Sequence, residues 1–188
     1  MNTNTASLNI VLGSMCSGKS TYLVEIYNEC IFCNISVIAI NNDLDNYHPT
    51  DIATHNNIKI PCLRSDSIIK LLDSSNEHFN KIVNASVILI NESQFFPDLY
   101  DGVKILLVMG KQIHVSGLDG DFKRQKFGQI LDLIPLSDSV VKLKSLCGMC
   151  KNGTPGIFSK RIINETNQTM VGSEHYIPVC RKCYEHST

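Results

Sequence analysis

An apolar run from Leu8 to Leu12 leads directly into Gly13-Ser14-Met15-Cys16-Ser17-Gly18-Lys19-Ser20, and Ser20 to Cys33 follows with apolar residues at helical spacing. G-x-x-x-x-G-K-[ST] between a buried strand and a helix leaves few folds open, because the loop works only where that strand ends and that helix begins. Its glycines let successive backbone N–H groups turn toward phosphate oxygens, and the helix N-terminus adds the positive end of its dipole. Lys19 then supplies a point charge to the β and γ phosphates, Ser20 supplies a hydroxyl to Mg2+, and Cys16 is read as a spacer. The pattern points to ATP as ligand, held by residues 13–21, with Thr21 closing the motif.

The rest of the chain repeats the alternation. Ser36–Ile40, Val87–Ile90, Gln112–Val115 and Val140–Leu143 read as strands, and Asp98–Met109 reads as a helix. Near-continuous apolar strands alternating with helices predict an α/β fold, a P-loop NTPase core with a mostly parallel sheet covered on both faces. Ligands of such sheets sit at the carboxyl ends of the strands. The stretch from Asn41 to Asn57, rich in Asn and Asp, reads as one long loop.

The Val87–Ile90 strand ends in Asn91-Glu92-Ser93-Gln94-Phe95-Phe96. An acidic residue at that strand end, opposite the phosphate loop, is where a base for a hydroxyl nucleophile belongs, and Glu92 is the candidate. Phe95 and Phe96 can be read equally as core or as a stacking face for a base.

After Leu143 the texture changes. Cys147-Gly-Met-Cys150 and Cys180-Arg-Lys-Cys183 form two C-x-x-C knuckles, a pattern that predicts a structural zinc site of four thiolates. Residues 1–143 are therefore expected to form the nucleotide-binding domain, and residues 144–188 a small zinc-ribbon-like module. Zinc in such a module contributes on the order of 10 kcal/mol to folding where there is little core to bury. Cys30, Cys33 and Cys62 read as isolated thiols.

A net charge of −1 over 188 residues gives no general electrostatic reason to bind nucleic acid or an anionic membrane. The polar start, MNTNTAS, lacks a signal-peptide pattern, and a cytoplasmic location is expected.

Taken together, G-S-M-C-S-G-K-S-T at Gly13, N-E-S-Q-F-F-P-D at Asn91, L-D-G-D-F-K-R-Q-K-F-G at Leu118, P-L-S-D-S-V-V-K-L at Pro135 and V-G-S-E-H-Y between the knuckles resemble the type II thymidine kinases. The resemblance covers nearly the whole chain. It implies that Glu92 is the base on the 5′-hydroxyl of thymidine, and that Met15, Phe95, Leu118, Phe122 and Phe127 wall the base pocket. It likens the insert between the knuckles to a lasso loop closing over the nucleoside, with Ser159, Arg161, Met170, Val171, Gly172 and Tyr176 on the substrate side. Asp45, Asn91 and Gln94 join the ATP and phosphate group. Thymidine and ATP as substrates, Mg2+ and structural Zn2+, feedback by thymidine triphosphate and a homotetramer are further implications.

Asn91 stands where the family pattern has Asp, and Leu44-Asp45-Asn46-Tyr47 lacks an Arg expected before the Tyr. These departures motivate the competing reading of a nucleotide-binding regulator, or a degenerate kinase with weak turnover. A zinc-ribbon nucleic-acid binder is a third class, disfavoured by the charge balance.

Overall fold

A computed structural model describes residues 5–45, 50–54, 57–170 and 172–186. Its elements run β1 (Ser7–Gly13), α1 (Lys19–Phe32), β2 (Val37–Asn42), a short hairpin β3 (Asp51–Ala53) and β4 (Lys59–Pro61), then β5 (Leu63–Ser65). Two short helices, α2 (Ile68–Leu71) and α3 (Phe79–Asn84), precede β6 (Val87–Ile90). A 3-10 turn (Ser93–Phe95) leads to α4 (Leu99–Val108) and β7 (Gln112–Gly117), and a second 3-10 segment (Ile130–Leu136) leads to β8 (Ser139–Leu143). The C-terminal part holds β9 (Ser145–Leu146), β10 (Pro155–Gly156), β11 (Phe158–Arg161), a 3-10 turn (Ser173–His175), β12 (Tyr176–Val179) and α5 (Arg181–Glu185).

The main sheet has six strands in the order β5-β2-β6-β7-β1-β8, and each of its pairings is parallel. Alternation along β6 explains how both faces fill. Ile88 and Ile90 point into one core with Leu8, Ile10 and Ile113, covered by Leu99, Val103 and Leu106 of α4. Val87 and Leu89 point into the other, against Leu23 and Val24 of α1 and Ile52 and Ile60 of the hairpin. Both faces are therefore dry, and the carboxyl ends of β1, β2, β6 and β7 are left as the edge where polar groups gather.

The stretch from Asn41 to Asn57 differs from the single loop expected of it. Asn41 and Asn42 continue β2, and Asp51–Ala53 pairs antiparallel with Lys59–Pro61. Each arm of that hairpin buries a single isoleucine, Ile52 or Ile60, against α1. One apolar residue per arm is too little to register as a strand pattern. Asn46 and Tyr47 of the Leu44–Tyr47 segment lie outside the described residues. The sixth strand, β5, is likewise too short for periodicity to reveal.

Past β8 the chain forms two-stranded pieces, β9 with β10 and β11 with β12. Their shared core is small: Cys147, Val179 and Cys180 are buried, with Phe158, Ile177 and Tyr184 packed around them. Among the described residues no helix is long and apolar enough to cross a membrane.

Candidate active site

The phosphate loop begins with a glycine that has no substitute. A Cβ on Gly13 would lie 2.5 Å from Ser17 Oγ and 2.7 Å from the Leu143 carbonyl, at a φ of 157°. Cys16 (φ 59°) and Gly18 (φ 92°) both turn left-handed, which curls the intervening amides into a concave cradle. α1 starts at Lys19 with no side chain capping its first turn, so its N–H groups remain available to a ligand. Ser17 Oγ is buried without a partner. A cradle of amides with an orphaned buried hydroxyl fits an anion.

Lys19 is 8% exposed, and its Nζ donates to the Ser14 carbonyl at 2.9 Å. Burial pushes its ammonium below the ordinary lysine value, against the pull of Glu92, Cys16 and Asp119. A phosphate would supply the counter-charge that burial withholds.

A cavity of about 380 Å³ opens beside this loop. Met15 to Thr21 line it, as do Asp45, Asn91, Glu92 and Gln94. So do Phe95, Leu118, Phe122 and Phe127, and from the C-terminal part Ser159, Met170, Gly172 and Tyr176. Phe95 meets Phe127 edge to face, with centroids 5.6 Å apart, and gives the cavity an aromatic corner. Phe96 is fully buried core, which resolves the reading left open between the two. Gly13 and Ser14, the first two residues of the loop, do not line the cavity. Val171 lies outside the described residues.

Arg161 is placed differently from the substrate-side position implied for it. It does not line the cavity. Its guanidinium donates to the carbonyls of Glu165, Asn167 and Gln168 at 2.8, 2.6 and 3.2 Å, and to the Tyr176 hydroxyl at 2.5 Å. It also lies 3.7 Å from the Phe122 ring centroid, and Tyr176 passes the chain on to the Met170 carbonyl at 3.1 Å. The arginine therefore shapes the loop from behind. Arg161→Met should keep the stem but lose the hydrogen bonds, and charged bonds of this kind contribute about 1.5–3 kcal/mol each. We expect nucleoside KM to rise about tenfold or more with ATP affinity unchanged, read by steady-state kinetics and by faster proteolysis within residues 162–170.

Residues that motif reasoning overlooked also line the cavity: Ala53, Thr54 and Asn57 from the hairpin, Gly120 and Asp121 after β7, and Gln168 from the loop between the knuckles. Gln168 Nε2 donates to Asp121 Oδ2 at 2.8 Å, which latches that loop to the wall opposite. Asp121 stood in the quoted L-D-G-D-F segment, a signal that could have found it. Gln168 carried none.

Asn91 is 3% exposed and bonded at both ends of its amide: its Oδ1 accepts from Ser116 Oγ at 3.0 Å, and its Nδ2 donates to Asn41 Oδ1 at 3.2 Å. Asn41 Oδ1 also accepts from the Asn42 amide, and Asn41 Nδ2 donates to Asp45 Oδ2 at 2.8 Å. The neutral amide is thus the residue type this network demands. Asn91→Asp should set a carboxylate oxygen against Asn41 Oδ1, costing about 1–3 kcal/mol. The thermal midpoint should fall without Mg2+ and recover when Mg2+ is added, measured by calorimetry with and without the ion.

The four knuckle thiols converge. The sulfurs of Cys147, Cys150, Cys180 and Cys183 all lie within 4.8 Å of one another, with Cys150 Sγ 3.4 Å from Cys183 and 3.7 Å from Cys180. Tetrahedral zinc at about 2.3 Å from each sulfur would need S–S edges of about 3.8 Å, so the donor set fits. Burial works to raise the Cys147 thiol, yet backbone N–H groups of Cys150, Cys180 and Met149 hold it at about 6. Cys183 is pushed up to about 12, chiefly by its contact with Cys150. Crowded sulfurs cannot all ionise alone, and a dication removes that conflict.

The module also grips the phosphate loop. Ser14 Oγ donates to the Gly156 carbonyl at 3.0 Å, and Ser159 Oγ accepts from the Met15 amide at 2.9 Å.

A phosphate cradle, an aromatic pocket and a four-sulfur cluster in one chain can now be set beside known proteins. The thymidine kinase family model matches residues 6–184. The chain belongs to the thymidine kinase family. It is 36% identical over 185 residues to a thymidine kinase of Yaba monkey tumor virus, covering 98% of this chain and 97% of that one. A variola virus thymidine kinase is 36% identical over 182 residues, 96% of this chain and 98% of its own. A thymidine kinase of Oryza sativa subsp. japonica is 38% identical over 182 residues, where the match spans 94% of this chain but 65% of the plant protein. Both viral matches span nearly all of each chain compared.

Proposed function

We propose that this chain transfers the γ-phosphoryl group of ATP to the 5′-hydroxyl of thymidine, and of deoxyuridine. The observation that carries the reading is one cavity whose lining includes Lys19 and the phosphate loop, the aromatic rings of Phe95, Phe122 and Phe127, and Glu92. Such a cavity suits two substrates whose reacting atoms must meet away from bulk water.

In this reading Lys19 and the amides of residues 15–20 hold the β and γ phosphates, and Glu92 takes the proton of the 5′-hydroxyl as its oxygen attacks. The new O–P bond forms as the bond to the β-phosphate oxygen breaks, and ADP leaves. Mg2+, when bound, would neutralise charge on the β and γ oxygens, with Ser20 and the polar strand end of Asn91 and Asp45 as its protein side. The cysteine cluster holds zinc and anchors the loop that covers the nucleoside.

A cavity that accepts both a pyrimidine nucleoside and a phosphate chain also suits thymidine triphosphate, which would span the two subsites and inhibit. Family membership supports a homotetramer as the working assembly. Purified protein with ATP, Mg2+ and each deoxynucleoside in turn, products resolved by mass, should yield thymidine monophosphate and ADP. Absence of thymidine-dependent ADP release would overturn the proposal.

A further inference from the structure

Gln94 was expected among the residues that face phosphate, but both ends of its amide are already committed. Nε2 donates to Glu92 Oε2 at 2.6 Å, and Oε1 accepts from the Leu118 amide at 3.0 Å. We propose that Gln94 is the positioning residue of the Glu92 carboxylate, tying it to the end of β7 where Leu118 begins the nucleoside wall. The inference rests on the reading of Glu92 as the base.

The surroundings of Gln94 are built to hold one conformation. The residue is 4% exposed. A Cβ on Gly117 would come within 2.7 Å of Gln94 Oε1 and 2.5 Å of Ser93 Oγ, and a Cβ on Gly128 within 2.3 Å of the Gln94 carbonyl. Gly117 at the end of β7 and Gly128 in the following loop thus make the slot in which this side chain and its backbone lie. Glu92 itself sits at φ 46° and ψ 40°, a left-handed backbone at the turn out of β6. That conformation brings residues 92 and 94 onto the same side of the 3-10 turn, close enough for the side chains to meet.

A glutamate side chain has three rotatable bonds and would otherwise sample many positions of its carboxylate. With Oε2 held by Gln94, Oε1 is left to accept a proton, and its place is set by two successive hydrogen bonds running back to Leu118. Because Leu118 also lines the cavity, the wall against the nucleoside and the group that deprotonates it share one frame. Glu92 acts electrostatically on the buried Lys19 of α1, as do Asp119 and Cys16.

Gln94→Glu tests this directly. It keeps an acceptor for the Leu118 amide but replaces the donor facing Glu92 with a second carboxylate, so the pair must share a proton. The acid limb of the kcat profile for thymidine phosphorylation should move to higher pH by about one unit or more, with KM for ATP within about twofold of wild type. Gln94→Met, which removes both bonds, should lower kcat about tenfold or more, again with KM for ATP held. Carboxyl-carbon NMR of Glu92, labelled in wild type and Gln94→Glu, reports the same titration without turnover. An unmoved acid limb and titration in Gln94→Glu would overturn the proposal. So would a rise in KM for ATP of about tenfold at constant kcat, since that marks a phosphate contact. Failure of the base reading has a separate signature, full activity in Glu92→Gln.

Discussion

Glu92→Gln is expected to lower kcat for thymidine phosphorylation by about 10²–10⁴, the range contributed by a positioned general base, while ATP still binds with wild-type affinity. The substitution is nearly isosteric, and the new amide can still accept from Gln94 through its oxygen, so the fold of the 3-10 turn has no reason to change. Without the carboxylate the 5′-hydroxyl has no positioned base to take its proton. Single-turnover kinetics with isothermal titration of ATP separates the two quantities. Undiminished turnover would mean that the proton leaves by another route and would remove Glu92 from the mechanism.

Removing the zinc proposed for the four thiols should have an effect as large, and a wider one. Chelation, or Cys150→Ser, is expected to abolish phosphorylation by unfolding the C-terminal part while the six-stranded sheet keeps its circular dichroism. Among the described residues the buried apolar cluster there is only Cys147, Val179 and Cys180, so burial alone supplies far less than the order of 10 kcal/mol that zinc contributes to a module of this kind. Two consequences follow from separate contacts. The loop held by Arg161 loses its frame, which removes Met170 and Tyr176 from the nucleoside side. The phosphate loop loses the Gly156 carbonyl and the Ser159 hydroxyl that steady Ser14 and Met15, so ATP affinity should fall as well. Elemental analysis should find one zinc per chain, released as pH falls because the thiolates must take up protons. Full turnover by metal-free protein would show that the cluster is dispensable.

Much of the site is legible in the sequence because its strongest signals are local. The phosphate loop lies within one strand, one turn and one helix, and each cysteine knuckle is a tight turn of four residues, so neighbours in the chain are neighbours in space. β1, α1, β6, α4 and β7 could be read for a similar reason: buried strands and amphipathic helices carry their own periodicity. Glu92 can be placed beside the cavity by sequence because strand ends in parallel sheets collect ligands.

Elsewhere the decisive contacts join residues far apart in the chain, and composition there pointed the wrong way or not at all. Asn41 and Asn42 look like loop residues, yet a strand absorbs them because Asn91 and Asp45 satisfy the Asn41 amide. Arg161 looks like a ligand for substrate, yet three main-chain carbonyls within seven residues of it turn it inward. Gln94 is grouped with the phosphate contacts by resemblance, and the fold gives its amide two partners, Glu92 and the Leu118 N–H. Residue type and spacing settled which chemistry this chain can hold, since amides, a lysine, a carboxylate and four thiols act through short-range bonds. Tertiary packing settled which polar groups remain free for a ligand, since a buried donor or acceptor takes whatever partner the fold brings within about 3 Å.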